Sequence, residues 1–90
     1  MKILIADDEY LECEALSKML TSSIPDLEIL PFAATGTELI EKAMACFPDI
    51  IVADIHMPRM NGLDALKKVR EEMPDVKMVI VTAYGEFEYA

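Results

Sequence analysis

No apolar stretch in these 90 residues approaches the ~18–20 that a membrane span needs. At 53% hydrophobic and a mean hydropathy of +0.26 the chain is nevertheless too apolar for a disordered tail. Its length suits one small domain with a core of thin margin. Bases are scarce, 8 against 17 acids, for a net charge of -9. Gripping a phosphate backbone needs surplus Lys and Arg, so this balance argues against nucleic-acid binding by the chain itself. It is compatible with a cation or a basic partner, although acids of this kind mostly solvate helix faces. Cysteine is limited to Cys13 and Cys46, far apart and in helix-like segments, which reads as two reduced thiols in a cytoplasmic protein. No CxxC or His-rich spacing suggests zinc. No Gly-rich phosphate loop suggests a nucleotide, and no Ser-His-Asp arrangement is readable. The run Ile3-Leu4-Ile5-Ala6 is too short for a signal peptide and stops at Asp7-Asp8.

What is present is an alternation of short apolar runs with amphipathic segments. A first strand is expected at 2–6, unalternating and so covered on both faces. A helix follows at 10–21, with Leu11, Ala15, Leu16, Met19 and Leu20 as its apolar stripe. The second strand, 27–33, contains Pro31, which lacks a backbone donor and points to a sheet edge. Thr35 and Glu38 form a capping box for a helix at 36–46, whose inner face is Leu39, Ile40, Ala43 and Met44. A third strand at 49–53 leads through the breakers Met57-Pro58 and Asn61-Gly62 to a helix at 62–72. Leu63, Leu66, Val69, Arg70 and Met73 share one side of that helix. A fourth strand at 77–81 precedes a segment, 86–90, that reads as the start of a further helix. Strands alternating with helices predict an α/β fold with a parallel sheet and right-handed crossovers. Beyond that alternation no internal repeat stands out.

The chemistry collects at the strand ends, where open α/β sheets bind ligands. The first strand ends in Asp7-Asp8 and the third in Asp54. Taken alone, Asp54 is either a turn-forming loop acid or a carboxylate nucleophile or metal ligand. If the two strands are neighbours, their ends lie ~5 Å apart, and three acids that close repel one another unless a cation or protons intervene. Mg²⁺, which prefers oxygen ligands, one or two carboxylates and a phosphate, suits such a site. Thr82 is either a β-former ending its strand or a hydroxyl donor to a phosphoryl oxygen. His56 reads as a loop residue whose backbone carbonyl is the better ligand candidate. Met57 and Met60 read as core plugs.

Three segments together carry a resemblance: Ile5-Ala6-Asp7-Asp8-Glu9, the nine residues from Asp54 to Gly62, and Val81-Thr82-Ala83-Tyr84. The chain resembles a response-regulator receiver domain of bacterial two-component signalling over its whole length. The family pattern Asp-x-x-Met-Pro-x-Met-x-Gly is met at Asp54, Met57, Pro58, Met60 and Gly62. The resemblance implies a flavodoxin-like, doubly wound parallel sheet. It implies a phosphorelay switch in which Asp54 accepts a phosphoryl group from a sensor histidine kinase. It also implies Mg²⁺ held by Asp7, Asp8, Asp54 and the His56 carbonyl, with Asp8 the direct ligand of the acid pair. Thr82 would be the switch hydroxyl, and the Ala83 backbone N–H would bind a phosphoryl oxygen.

The family pattern continues for a further strand and helix. Residues 1–90 are therefore expected to form a (βα)5 receiver architecture lacking the last strand and helix, without the lysine that the fifth strand would deliver. Strand four, Met78-Val79-Ile80-Val81, is then expected at a bare edge that a second copy could cover as a homodimer, and part of one sheet face is expected to be uncovered. The ending from Ala83 to Ala90 resembles receivers joined to a helix-turn-helix output domain that regulates transcription. Two other readings stand beside the switch: an interaction module that is truncated or degenerate and takes no phosphate, and a Mg²⁺-dependent phosphatase with Asp54 as nucleophile. Phosphatases of that kind need a general acid and a substrate cap, for which the chain has no room, so no enzyme activity is expected.

Overall fold

The structure, a computed structural model, describes residues 1–54, 62–81 and 87–88. Strand β1 (Lys2–Ala6) leads into helix α1 (Tyr10–Ser23), strand β2 (Glu28–Ile29), helix α2 (Gly36–Cys46) and strand β3 (Ile50–Asp54). Helix α3 (Gly62–Glu72), strand β4 (Lys77–Val81) and strand β5 (Phe87–Glu88) follow. The sheet order is β2-β1-β3-β4-β5. The first four strands are parallel, as the α/β alternation predicts, and β5 is antiparallel to β4.

Period-2 alternation divides the strand side chains between two faces. Leu4, Ala6, Ile51, Ala53, Met78 and Ile80 meet α2 and α3 through Leu39, Ala43, Ala65, Leu66 and Val69, all buried. Each Leu, Ile or Val fully removed from water there is worth about 1.5–3 kcal/mol. On the opposite face Ile3, Ile5 and Val52 pack against Cys13 of α1, with Leu16 and Leu20 beside them. Ile50, Val79 and Val81 on that face are only partly covered. The expected apolar stripe of α1 is thereby corrected. Leu11 is 75% and Met19 62% exposed, and Cys13, a small apolar side chain, is the buried contact at 1%. The helix rolls toward Cys13-Leu16-Leu20, a spacing of three and four that also forms one face.

Pro31 acts as expected, with a further consequence. Strand β2 is at the edge, but its regular ladder is limited to Glu28–Ile29 instead of 27–33. Pro31 has no N–H to donate. Pairing resumes beyond it, where the Ala33 N–H donates to Ile5 O (3.0 Å) and the Asp7 N–H to Ala33 O (2.9 Å). Helix α1 runs two residues past 21, and the Thr21 and Ser22 hydroxyls donate back to Ser17 and Lys18 carbonyls at 2.9 Å. At α2 the capping box is made. Thr35 Oγ1 accepts the Glu38 N–H (3.1 Å), while Glu38 Oε1 reaches one residue further back to accept the Ala34 N–H (2.9 Å).

The segment 86–90 does not open as a helix at its described residues. Phe87 and Glu88 form β5, pairing Val81 with Phe87 and Ile80 with Glu88. Strand β4 is therefore not a bare edge along its whole length; the chain covers the part beside Ile80 and Val81. The unpaired donors and acceptors of a terminal strand make any extended segment within reach a partner, which outweighs a short segment's own helical pattern.

Candidate functional site

Register brings the acids together. Ala6 of β1 lies opposite Ala53 of β3, so Asp7 and Asp54, each one residue further along, leave adjacent strands side by side. Asp7, Asp8 and Asp54 each present a carboxylate oxygen within 4.8 Å of the others. Asp7 and Asp54 are half-buried and Asp8 is exposed. The neighbouring strands expected for this pair are thus adjacent, and three of the residues expected to ligate metal converge. His56, Thr82 and Ala83, together with Met57, Pro58 and Met60, lie outside the described residues.

Local backbone orients Asp7. Its Oδ1 accepts the Glu9 N–H at 2.9 Å, a turn in which a short acid bonds its own chain two residues on. Burial is nevertheless the largest influence on Asp7, and it disfavours the charged form. A side-chain hydrogen bond from Glu12 and the charges of Asp54 and Glu12 act in the same sense, against the opposing Glu9 N–H, and the carboxyl is pushed up to about 7. Burial and the neighbouring acids thus act together on this carboxyl. Cys13 lies behind the same turn, its Sγ 3.6 Å from Asp7 O. Burial and then the neighbouring acids push its thiol up to about 11, so it is a protonated, unreactive filler.

The donor set fits a small hard cation. It is oxygen only. Octahedral Mg²⁺ with bonds of ~2.1 Å separates its ligands by ~3 Å when adjacent and ~4 Å when opposite, and the spread of these carboxylates is close to that. Binding there would also favour the ionised form of Asp7, against the burial and the neighbouring acids that raise it.

Glu12 is a residue that sequence reading did not place here. It lies in the first turn of α1 and lines, with Asp7, Asp54, Leu16, Met19 and Val81, a cavity of ≈ 290 Å³. The signal was available. A helix that starts three residues after a strand turns its first turn toward the end of the sheet that the strand has just left.

The sequence matches the family described as response regulator receiver domain over residues 3–90. It is 39% identical over 90 residues to the oxygen regulatory protein NreC of Staphylococcus carnosus, matching 99% of this chain and 41% of that protein. It is 37% identical over 83 residues to a protein-glutamate methylesterase/protein-glutamine glutaminase of Pyrococcus horikoshii, matching 92% of this chain and 22% of that protein. Among solved structures, the response regulator domain of Thermotoga maritima CheB superposes with a TM-score of 0.80 at 33% identity, covering 100% of this chain and 66% of that one. The chain thus spans less than half the length of these two curated relatives.

Proposed function

This chain belongs to the response regulator receiver domain family, and from that premise we propose that it is a phosphoacceptor switch with Asp54 as the phosphorylated residue. The observation that carries this reading is the convergence of Asp7, Asp8 and Asp54 within 4.8 Å at the C-terminal ends of two adjacent strands. An Asp54 carboxylate oxygen attacks the phosphorus of a kinase phosphohistidine. The O–P bond forms as the P–N bond breaks, and the imidazole nitrogen leaves with the electron pair and takes up a proton from water. Asp7, Asp8, Asp54 and the His56 carbonyl would hold Mg²⁺, which would neutralise the charge gathered between carboxylates and phosphoryl oxygens. Asp7 must give up its proton for this. The Thr82 hydroxyl and the Ala83 N–H then bind phosphoryl oxygens, and the new charge biases the segment that carries them.

The partner on the donor side is a sensor histidine kinase, and the setting is the cytoplasm. Among the described residues no helix is long and apolar enough to cross a membrane. On the output side the proposal is a further domain, of the helix-turn-helix DNA-binding kind, since one relative is a regulatory protein of more than twice this length. A homodimer joined along the part of β4 that β5 leaves open remains part of the proposal, and light scattering showing a folded monomer at micromolar concentration excludes it.

The test is incubation with acetyl phosphate and Mg²⁺ followed by mass spectrometry. A stable gain of about 80 Da, one phosphoryl group, on Asp54 supports the switch. Turnover of many equivalents indicates a phosphatase instead, and no adduct indicates an interaction module. Asp54→Asn is expected to abolish uptake while keeping the fold; persistence of the adduct overturns the assignment.

A further inference from the structure

Glu12 is at the acidic site without a part in phosphoryl capture. It lines the same cavity as Asp7 and Asp54, and its charge reaches Asp7. The neighbouring acids, Glu9 at the N-cap of α1 and Glu14 within it, differ from it. Glu9 reaches Asp7 only through its backbone N–H, and Glu14 does not line the cavity.

We propose that Glu12 supports the metal site from outside the ligand set, and that its charge strengthens the hold on a divalent cation. The inference rests on the reading that Asp7, Asp8 and Asp54 bind that cation. Mg²⁺ keeps several of its waters even when bound by carboxylates. An acid beside the ligands therefore acts in two ways. It adds negative charge beside the bound cation, and it offers an acceptor for a coordinated water. Groups in this position commonly change metal affinity 10–100-fold. Glu12 is solvent-exposed, where screening weakens its charge, so its effect belongs at or below the lower end of that range.

The experiment is calorimetric titration of Mg²⁺ into the chain at low ionic strength and about pH 8.5, well above ordinary carboxylate titration. Wild type, Glu12→Gln and Glu14→Gln are compared, with the Mg²⁺-induced rise in Tm as a second readout. Glu12→Gln is expected to weaken binding about threefold to tenfold and to shrink the Tm increment. Glu14→Gln, with the same charge change, is expected to stay within about twofold of wild type, since Glu14 does not line the cavity. The deficit of Glu12→Gln should narrow in about 0.5 M salt, as screening takes over. Wild-type affinity in Glu12→Gln overturns the proposal, as does an equal loss in both variants. A lower metal-free Tm with an unchanged Mg²⁺ increment also overturns it, since that marks a purely structural role. A wild type that does not bind Mg²⁺ overturns the reading of the site itself, a result distinguishable from the others.

Discussion

The two ends of the sheet treat charge in opposite ways. At the C-terminal end Asp7, Asp8 and Asp54 crowd together and Asp7 is held far above the usual carboxylate range. At the other end charged side chains meet backbone groups of opposite polarity. Asp49 Oδ2 accepts the Lys2 N–H at 2.8 Å, and Lys2 Nζ donates to Cys46 O at 3.2 Å. Arg70 donates from one nitrogen to Pro74 O and Val76 O, both at 2.6 Å, holding the turn that feeds β4. One end pairs its charges with backbone groups; the other gathers half-buried acids, one of them raised by burial and its neighbours, whose ionised form a bound cation would favour. Stability is built at the first and binding at the second.

The contrast can be broken most forcefully at the satisfied end. Arg70→Ala removes both bonds to the α3–β4 turn. Hydrogen bonds from a charged donor are worth about 1.5–3 kcal/mol, and partial exposure places this loss near 2 kcal/mol. Urea denaturation should show that drop with an unchanged slope. A midpoint equal to wild type would mean that Arg70 does not hold the turn.

A subtler test titrates the strained end. Asp7 is raised from 3.8 to about 7 in the fold, so between those values the native state binds more protons than the unfolded chain. The stability that this group contributes is complete below about pH 4 and is lost as pH rises through about 7. That is the reverse of a salt-bridged carboxylate. Denaturation midpoints of the metal-free protein should show a declining component from pH 4 to 7 that Asp7→Asn removes. Saturating Mg²⁺ should offset the decline, because it takes the place of the proton. A component unchanged in the variant would assign the titration to other groups.

The smallest effect compares one substitution at both ends. Asp49→Ala should destabilise by about 1 kcal/mol through loss of the bond to the Lys2 N–H. Asp8→Ala should leave metal-free stability unchanged or raise it by some tenths of a kcal/mol, since it removes a like charge, and should weaken Mg²⁺ binding. Equal destabilisation by both would erase the distinction between the two ends.

Much of this was legible in sequence because it depends on local patterns. The capping box at Thr35, the edge position signalled by Pro31, and the inner face of α2 follow from periods and backbone chemistry that act within a few residues; on α3 the expected Leu63 is 42% exposed and Ala65 is buried instead. The turn sequences Ile24-Pro25-Asp26, Phe47-Pro48-Asp49 and Met73-Pro74-Asp75 are a further pattern. Each follows a helix, and its proline punctuates the exit. In two of them a residue takes the left-handed region, Asp26 at φ 57° and Phe47 at φ 51°. At the exit of α2 the left-handed C-cap is Phe47, a place that usually falls to glycine, so there the residue type concealed it. The roll of α1 was misread because Leu11 and Met19 are as apolar as Leu16 and Leu20; only contact with the sheet distinguishes them. The part of the site read from Asp7, Asp8 and Asp54 was legible because each acid ends an apolar run. Glu12 was not, because its place depends on where the helix starts.

By itself the sequence determined the order of elements, their approximate bounds, the α/β class and the acids at the strand ends, since hydrophobic period and breakers act through the local chain. Tertiary structure decided what that local chain cannot encode. It set the register that places Ala6 opposite Ala53, the raised proton affinity of Asp7, the entry of Glu12 into its neighbourhood, and the pairing of Phe87–Glu88 with β4. Each of these is a relation between groups distant along the chain or buried together, and each exists only once the sheet has closed around them.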